Sequence, residues 1–135
     1  MLDEVITDWL RALLGRHGAV AGTVHVLRGD MLELVGAVNI PPKVQEITAK
    51  IPHGKGMAGL AWQHDKPIQI CDLQHDTSGQ VRPGAKAVDA KAAVALPVHD
   101  AAGKVRAVVG LAWMDDRVLA ADVLAAITAD AGSLG

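Results

Sequence analysis

Residues 51–62 read IPHGKGMAGLAW. They carry a Gly-x-Gly-x-x-Gly pattern at Gly54, Gly56 and Gly59, where one strand ends and a helix begins. A dinucleotide-binding fold uses such glycines to seat a pyrophosphate on a helix N-terminus. It needs a doubly buried strand, a full crossover helix and an acidic residue about 20 positions on. A smaller domain uses them only to turn sharply and lay a short helix close to a sheet. The flanks favour the corner. About a dozen residues separate Pro52 from the next strand at Ile68, too few for a comfortable crossover. The preceding stretch, EITAKIP, reads as a strand with Glu46, Thr48 and Lys50 on alternate positions, so one of its faces is polar. Asp76 stands at the distance of a ribose-binding acid but has no βαβ unit around it.

On the N-terminal side, Leu2, Val5, Ile6, Trp9, Leu10, Leu13 and Leu14 recur at helical spacing over residues 2–14. Asp3 and Glu4 suit the positive end of that helix, and Gly15 suits its stop. The apolar stripe is wide for a terminal helix, which points to more than one neighbour. Residues 19–38 read as a hairpin turning at Arg28-Gly29-Asp30, a corner rather than an adhesion motif. Pro41 and Pro42 break the sheet and allow a helical turn over 42–46.

On the C-terminal side, AGLAWQHD makes two helical turns stopped before Pro67, and PIQICD makes a short strand. Residues 73–91 are polar and interrupted by Gly79, Pro83 and Gly84, a long connection of the kind that is usually functional or mobile. A helical turn fits 85–90. AAVALPVHD and KVRAVVGLAW, joined by AAG, are central strands buried on both faces. A last helix spans 116–131, capped by Asp115 or Asp116, with Leu119, Val123, Ala126 and Ile127 facing inward. The order of elements gives an α+β domain built on an antiparallel sheet.

Composition narrows the functions. The 135 residues suffice for one domain, 1–135, that buries about two thirds of its unfolded surface. Half are hydrophobic, and 13 basic against 15 acidic residues leave a formal charge of −2, with no basic cluster to attract nucleic acid. Phe and Tyr are absent, so three Trp carry the large aromatic surface. The single cysteine, Cys71, excludes an internal disulfide and fits a cytoplasmic protein. The N-terminus lacks the basic-then-apolar pattern of a signal peptide, and no apolar run reaches the ~18 residues of a membrane span. The chain ends at ITADAGSLG with no output domain after it, as in a free-standing regulator or an excised fragment.

Taken together, IPHGKGMAGLAWQHDKPIQICDL (51–73) and AVALPVHDAAGKVRAVVGLAW (93–113) resemble a GAF domain, with the likeness spanning residues 19–114. The resemblance implies a profilin-like antiparallel sheet of five or six strands. It puts both terminal helices on one face and a ligand pocket under the short helix and long loop on the other. It also implies a cytoplasmic, signal-transducing, non-catalytic role of the kind bacterial regulators use. GAF domains bind cyclic nucleotides, bilins, haem, amino acids or nothing, so no cofactor is assigned. The enzymatic branch, the free methionine-(R)-sulfoxide reductases, carries Gly-Val-Cys-Gly where this chain has Gly56-Met57-Ala58-Gly59. Its second cysteine falls in a region occupied here by Gln80 to Ala93, without Cys. Reduction of a sulfoxide by one thiolate and resolution by another cannot close on Cys71 alone.

Other chemistries have thin support. No two of His17, His25, His53, His64, His75 and His99 stand at His-x-x-x-His spacing, and Cys71 with His75 falls short of a zinc set. His75 opens the long loop, but a lone histidine is weak ground for haem ligation. Cys71 sits among alternating apolar residues as a buried strand position rather than a bilin anchor. A Gly-x-Ser-x-Gly elbow is absent, and so is the Asn-Lys-x-Asp run of the cyclic-nucleotide branch.

Two classes remain. One is a sensory domain that binds a small molecule and signals through its terminal helices. The other is a ligand-free dimerisation or protein-interaction module with a collapsed pocket. The first needs a cavity, of roughly 300 Å³ for a drug-sized ligand. The expected ligand site lies between the short helix at 58–64 and the loop at 73–90. Trp62 supplies its aromatic surface, Arg82 and Lys86 its cations, and His75 a group titrating near neutral pH. Ile70, Val94 and Leu96 would form the floor, and Asp72 closes the strand beside them. The expected partners are a small anionic or planar ligand and a second copy of the chain, joined through the N- and C-terminal helices; a protein partner is the alternative.

Overall fold

The computed structural model describes residues 2–70, 92–114 and 119–134. Its elements run α1 (Glu4–His17), β1 (Ala21–Arg28), β2 (Met31–Val38), α2 (Pro42–Ile47), β3 (Lys50–Pro52), α3 (Gly56–His64), β4 (Ile68–Ile70), β5 (Ala92–His99), β6 (Val105–Trp113) and α4 (Ala121–Ala131). The six strands form one sheet in the order β3-β2-β1-β6-β5-β4, every neighbouring pair antiparallel. The α+β architecture is the expected one, with six strands.

The sheet has two cores. On one face, Leu10, Leu13 and Leu14 of α1 and Ile127 and Ala131 of α4 bury against Val24, Leu96, Val109, Leu111 and Trp113. On the other, Leu32, Ile51, Ala95 and Val108 take Ala61 of α3, with Met57, Ala58 and Trp62 packed around them. Each Val or Leu so buried contributes about 1.5–3 kcal/mol. The terminal helices and the short helix therefore cover opposite faces.

The N-terminal helix runs past its expected stop. Asp3 caps it, its carboxylate accepting from the Ile6 N–H at 2.9 Å. Gly15 stays helical, and the chain leaves the helix at Gly18, which takes the left-handed conformation (φ 67°) and donates its N–H to the Leu14 carbonyl. Five of the seven stripe residues pack in the molecule's own core, leaving Leu2 and Val5 outside. The hairpin turns at Gly29 (φ 64°), as expected. Glu46 and Ile47 are helical rather than extended, because the Pro42 helix continues to a Thr48 cap; only Lys50–Pro52 form the strand.

At the other end, α4 starts at Ala121 with Ala120 at the cap, and no side chain bonds there. Asp115 and Asp116 lie outside the described residues. The helix is rotated from the expected face: Leu124, Ile127 and Ala131 turn inward, while Val123 and Ala126 are exposed. Spacings of three and four fit both sets, and packing selects the bulkier one.

The glycine corner is steric. Gly54 (φ 78°) and Gly56 (φ 64°) occupy the left-handed region. The Gly54 N–H bonds the Gly59 carbonyl at 3.1 Å, and the Lys55 N–H bonds that of Pro52 at 3.2 Å. A Cβ on Gly59 would stand 2.7 Å from the Pro52 carbonyl oxygen. The strand that feeds this turn is an antiparallel edge strand, not the buried first strand of a dinucleotide fold.

Gly59→Ala is expected to destabilise the protein by about 1–3 kcal/mol, since backbone must move to admit the methyl. Gly15→Ala meets nothing within 4 Å and is expected to stabilise by about 0.5–1 kcal/mol through helix propensity. Urea denaturation of the two variants beside the wild type checks both signs.

Candidate functional site

Strand alternation sorts the central strands by size. Val94, Leu96 and Val98 of β5 and Val109, Leu111 and Trp113 of β6 point to the terminal helices. The intervening positions are small: Ala93 and Ala95 on β5, Gly110 and Ala112 on β6, Ala21 and Thr23 on β1. Pairing sets them side by side, Thr23 opposite Gly110, Gly110 opposite Ala95, and Ala112 opposite Ala93. Small side chains in register leave the sheet surface hollow. The helices above do not refill it, and a cavity of about 130 Å³ remains.

The floor of this cavity is the small-residue patch with Val108 and His25. Val44 and Thr48 at α2, with Ile40 before it, close one side; Gly56, Met57 and Ala58 of α3 close another. The wall is almost wholly apolar, and no Asp, Glu, Lys or Arg is among its described residues. Its volume is below the ~300 Å³ of a drug-sized pocket. It is close to that of the ~150 Å³ apolar cavity known to admit benzene.

His25 shares the lining with the hydroxyl residues Thr23 and Thr48. It is 2% exposed, the one polar or charged residue buried among those described. Its Nε2 lies 2.8 Å from the Thr48 carbonyl oxygen. A carbonyl can only accept, so Nε2 carries the proton and Nδ1 a lone pair. Nδ1 is buried without a hydrogen-bond partner among the described residues. Desolvation lowers the pKa to about 4, against a weaker upward pull from the Thr48 bond, so the ring is neutral at neutral pH. An unsatisfied buried acceptor costs about 1–3 kcal/mol. The bond itself ties the end of α2 to β1 and holds that side of the cavity in place.

The sequence-derived site residues separate on the structure. Trp62 is half-buried on α3, packed against Leu32, Ile51, Ala61, Ala95 and Val108, with its ring edge-on to His53 at 4.6 Å; it does not line the cavity. Val94 borders the cavity, but it and Leu96 are core residues of the terminal-helix face. The floor is one residue out of phase with the expected one, being Ala93 and Ala95, because a single-residue shift exchanges the faces of a strand. Ile70 ends β4 opposite Ala93. Asp72, His75, Arg82 and Lys86 lie outside the described residues, as does Cys71. Among the described residues no His, Cys, Asp or Glu group is assembled for a metal. No described helix is long and apolar enough to cross a membrane.

His25, Thr23 and the alanines escaped the sequence reading. The available signal was the Thr-x-His alternation inside AGTVHVL, which puts both polar residues on one face of a buried strand.

Solved structures share this architecture. The type II free methionine-R-sulfoxide reductase of Thermoplasma acidophilum superposes with a TM-score of 0.73 at 13% identity, over 93% of this chain and 83% of that one. The GAF domain of A. aeolicus nlh2, in an inactive state, gives 0.69 at 16%, over 96% and 76%. A GAF domain/HD domain protein of Geobacter sulfurreducens gives 0.74 at 14%, over 96% and 86%. Such identities show the fold alone, and the fold includes an enzyme. No curated protein sequence matches the chain. The GAF domain family model matches residues 2–133, and the chain belongs to that family.

Proposed function

We propose that this chain is a non-catalytic sensory or regulatory GAF domain. It binds a small molecule in the cavity over β1, β5 and β6 and reports occupancy through α1 and α4. The observation that carries this reading is the cavity itself, an apolar hollow lying one sheet away from the terminal helices. GAF domains generally bind small molecules and dimerise. Movement of the floor strands reaches both helices at once, because α1 and α4 are joined to each other. Trp9 donates its indole N–H to Ser133 Oγ at 3.1 Å, and His17 pairs with Asp130 at 2.7 Å.

A ligand-free dimerisation module is the second reading. Val5 on α1 is 79% exposed and Val123 on α4 is 44% exposed, apolar surface that a second copy would cover. The two readings share the homodimer and differ in the cavity. Catalysis has less support. Ala58 stands in the cavity wall where the reductase resemblance calls for cysteine, and a methyl group cannot attack sulfur.

Native mass spectrometry of freshly purified protein is expected to show a dimer retaining a small-molecule adduct. Ala58→Leu, which extends a side chain into the cavity, is expected to keep the dimer and lose the adduct. A dimer without any adduct would leave the interaction module standing. Incubated with free methionine-R-sulfoxide and dithiothreitol, the protein is expected to form no methionine; formation that disappears in Cys71→Ser would make it an enzyme.

Burial of the His25 ring couples stability to pH. Above pH 6.5, the ordinary histidine value, the ring is neutral in both folded and unfolded chains. Between 6.5 and about 4 the unfolded chain takes up a proton that the folded chain refuses. Stability therefore falls with falling pH, by up to about 1.4 kcal/mol per pH unit and roughly 3 kcal/mol in all. Unfolding free energies measured from pH 7.5 to 4 are expected to fall less for His25→Leu than for wild type, by about that amount.

A further inference from the structure

Among the described residues that line the cavity, Thr23, His25 and Thr48 carry polar side chains. Two of them commit their protons to the frame. The Thr48 hydroxyl donates to the Val44 carbonyl at 2.8 Å, and the His25 Nε2 proton goes to the Thr48 carbonyl at 2.8 Å. The other His25 nitrogen is sealed off from solvent. Thr23 differs on both counts. Its hydroxyl makes no hydrogen bond to a described residue, and its oxygen is not among the sealed atoms. The residue as a whole is half-buried.

The direction of that hydroxyl is set by the strand beside it. Thr23 lies opposite Gly110 of β6. A Cβ on Gly110 would stand 2.9 Å from Thr23 Oγ1, so the oxygen reaches over the place a side chain would fill. Across Gly110 lies Ala95, flanked on the same face by Ala93 and Ala112. An occupant resting on this floor meets methyl groups under most of its surface and a hydroxyl at one edge. A rotatable hydroxyl can donate or accept. A pure hydrocarbon would cover it without bonding it, which is unfavourable.

We propose, resting on the reading of the cavity as the ligand site, that Thr23 is its specificity-determining residue. The occupant is a compact molecule with an apolar body on Ala93, Ala95 and Ala112 and a hydrogen-bonding atom at the edge that faces Thr23 Oγ1. Gly110 keeps that edge open.

Phenol and toluene serve as probes, alike in shape and differing by hydroxyl against methyl. Both are near the size of the ring that an apolar cavity of about this volume admits. Thr23→Val keeps the shape of the floor and removes the hydroxyl. Calorimetry is expected to show the ratio of phenol to toluene affinity falling roughly three- to tenfold in that variant, the range of one net hydrogen bond. Nuclear Overhauser contacts in the wild-type protein give a readout independent of any variant's folding. The ring protons of bound phenol are expected to contact the methyl groups of both Thr23 and Ala95. An unchanged ratio in folded Thr23→Val, or contacts to Ala95 without Thr23, would overturn the proposal while leaving the cavity a ligand site. Failure of both probes to bind, or phenol bound without contact to either residue, would overturn both.

Discussion

The central strands keep large side chains on one face and small ones on the other, and the rest of the molecule follows from that division. Val109, Leu111 and Trp113 need a cover, which α1 and α4 supply. Gly110 and Ala112, the alternate residues of the same strand, leave space that α2 and α3 bridge without filling. Had both faces carried Val and Leu, the sheet would have closed into two equal cores with no hollow. Because antiparallel pairing sets Thr23 opposite Gly110 and Gly110 opposite Ala95, the small positions fall next to one another. They open one cavity rather than scattered gaps.

Holding helices over an open space needs contacts at the rim. The glycine corner brings α3 down at one end, through the close approach of Gly59 to the Pro52 carbonyl. At the far end of α3, Asp65 in a left-handed cap (φ 52°) pairs with His99 of β5. The end of α2 is held by the bond from His25 to Thr48. That last contact makes the ring both a strut and part of the cavity lining, beside Thr23 and Thr48. Burial keeps it neutral.

Much of this was legible in the sequence. The glycines of 54–59, the short flanking strands and the apolar runs of 92–113 gave the antiparallel sheet, because turn chemistry and strong hydrophobic pattern act locally, and the resemblance to GAF domains implied the faces its helices cover. The misses were of phase and extent. AAVALPV is apolar at every position, so nothing in it tells Val94 and Leu96 from Ala93 and Ala95 until β6 and the helices are in place. Gly15 looked like the helix stop, but the left-handed conformation that ends α1 falls three residues later, at Gly18. The face that α4 turns inward depended on Leu124 finding the core. His25 was hidden for a different reason: its partner is a carbonyl 23 residues away, which no local pattern announces.

Ligand binding by this domain needs the hollow under α2 and α3 to be open and apolar in the folded protein. Diffraction from a crystal pressurised with xenon tests this without knowledge of the ligand, since xenon enters dry apolar cavities and shuns filled or wet ones. A xenon peak is expected in contact with Ala95, Gly110 and Met57 at the sheet surface. Its absence, with side chains or ordered water occupying the space, would contradict it.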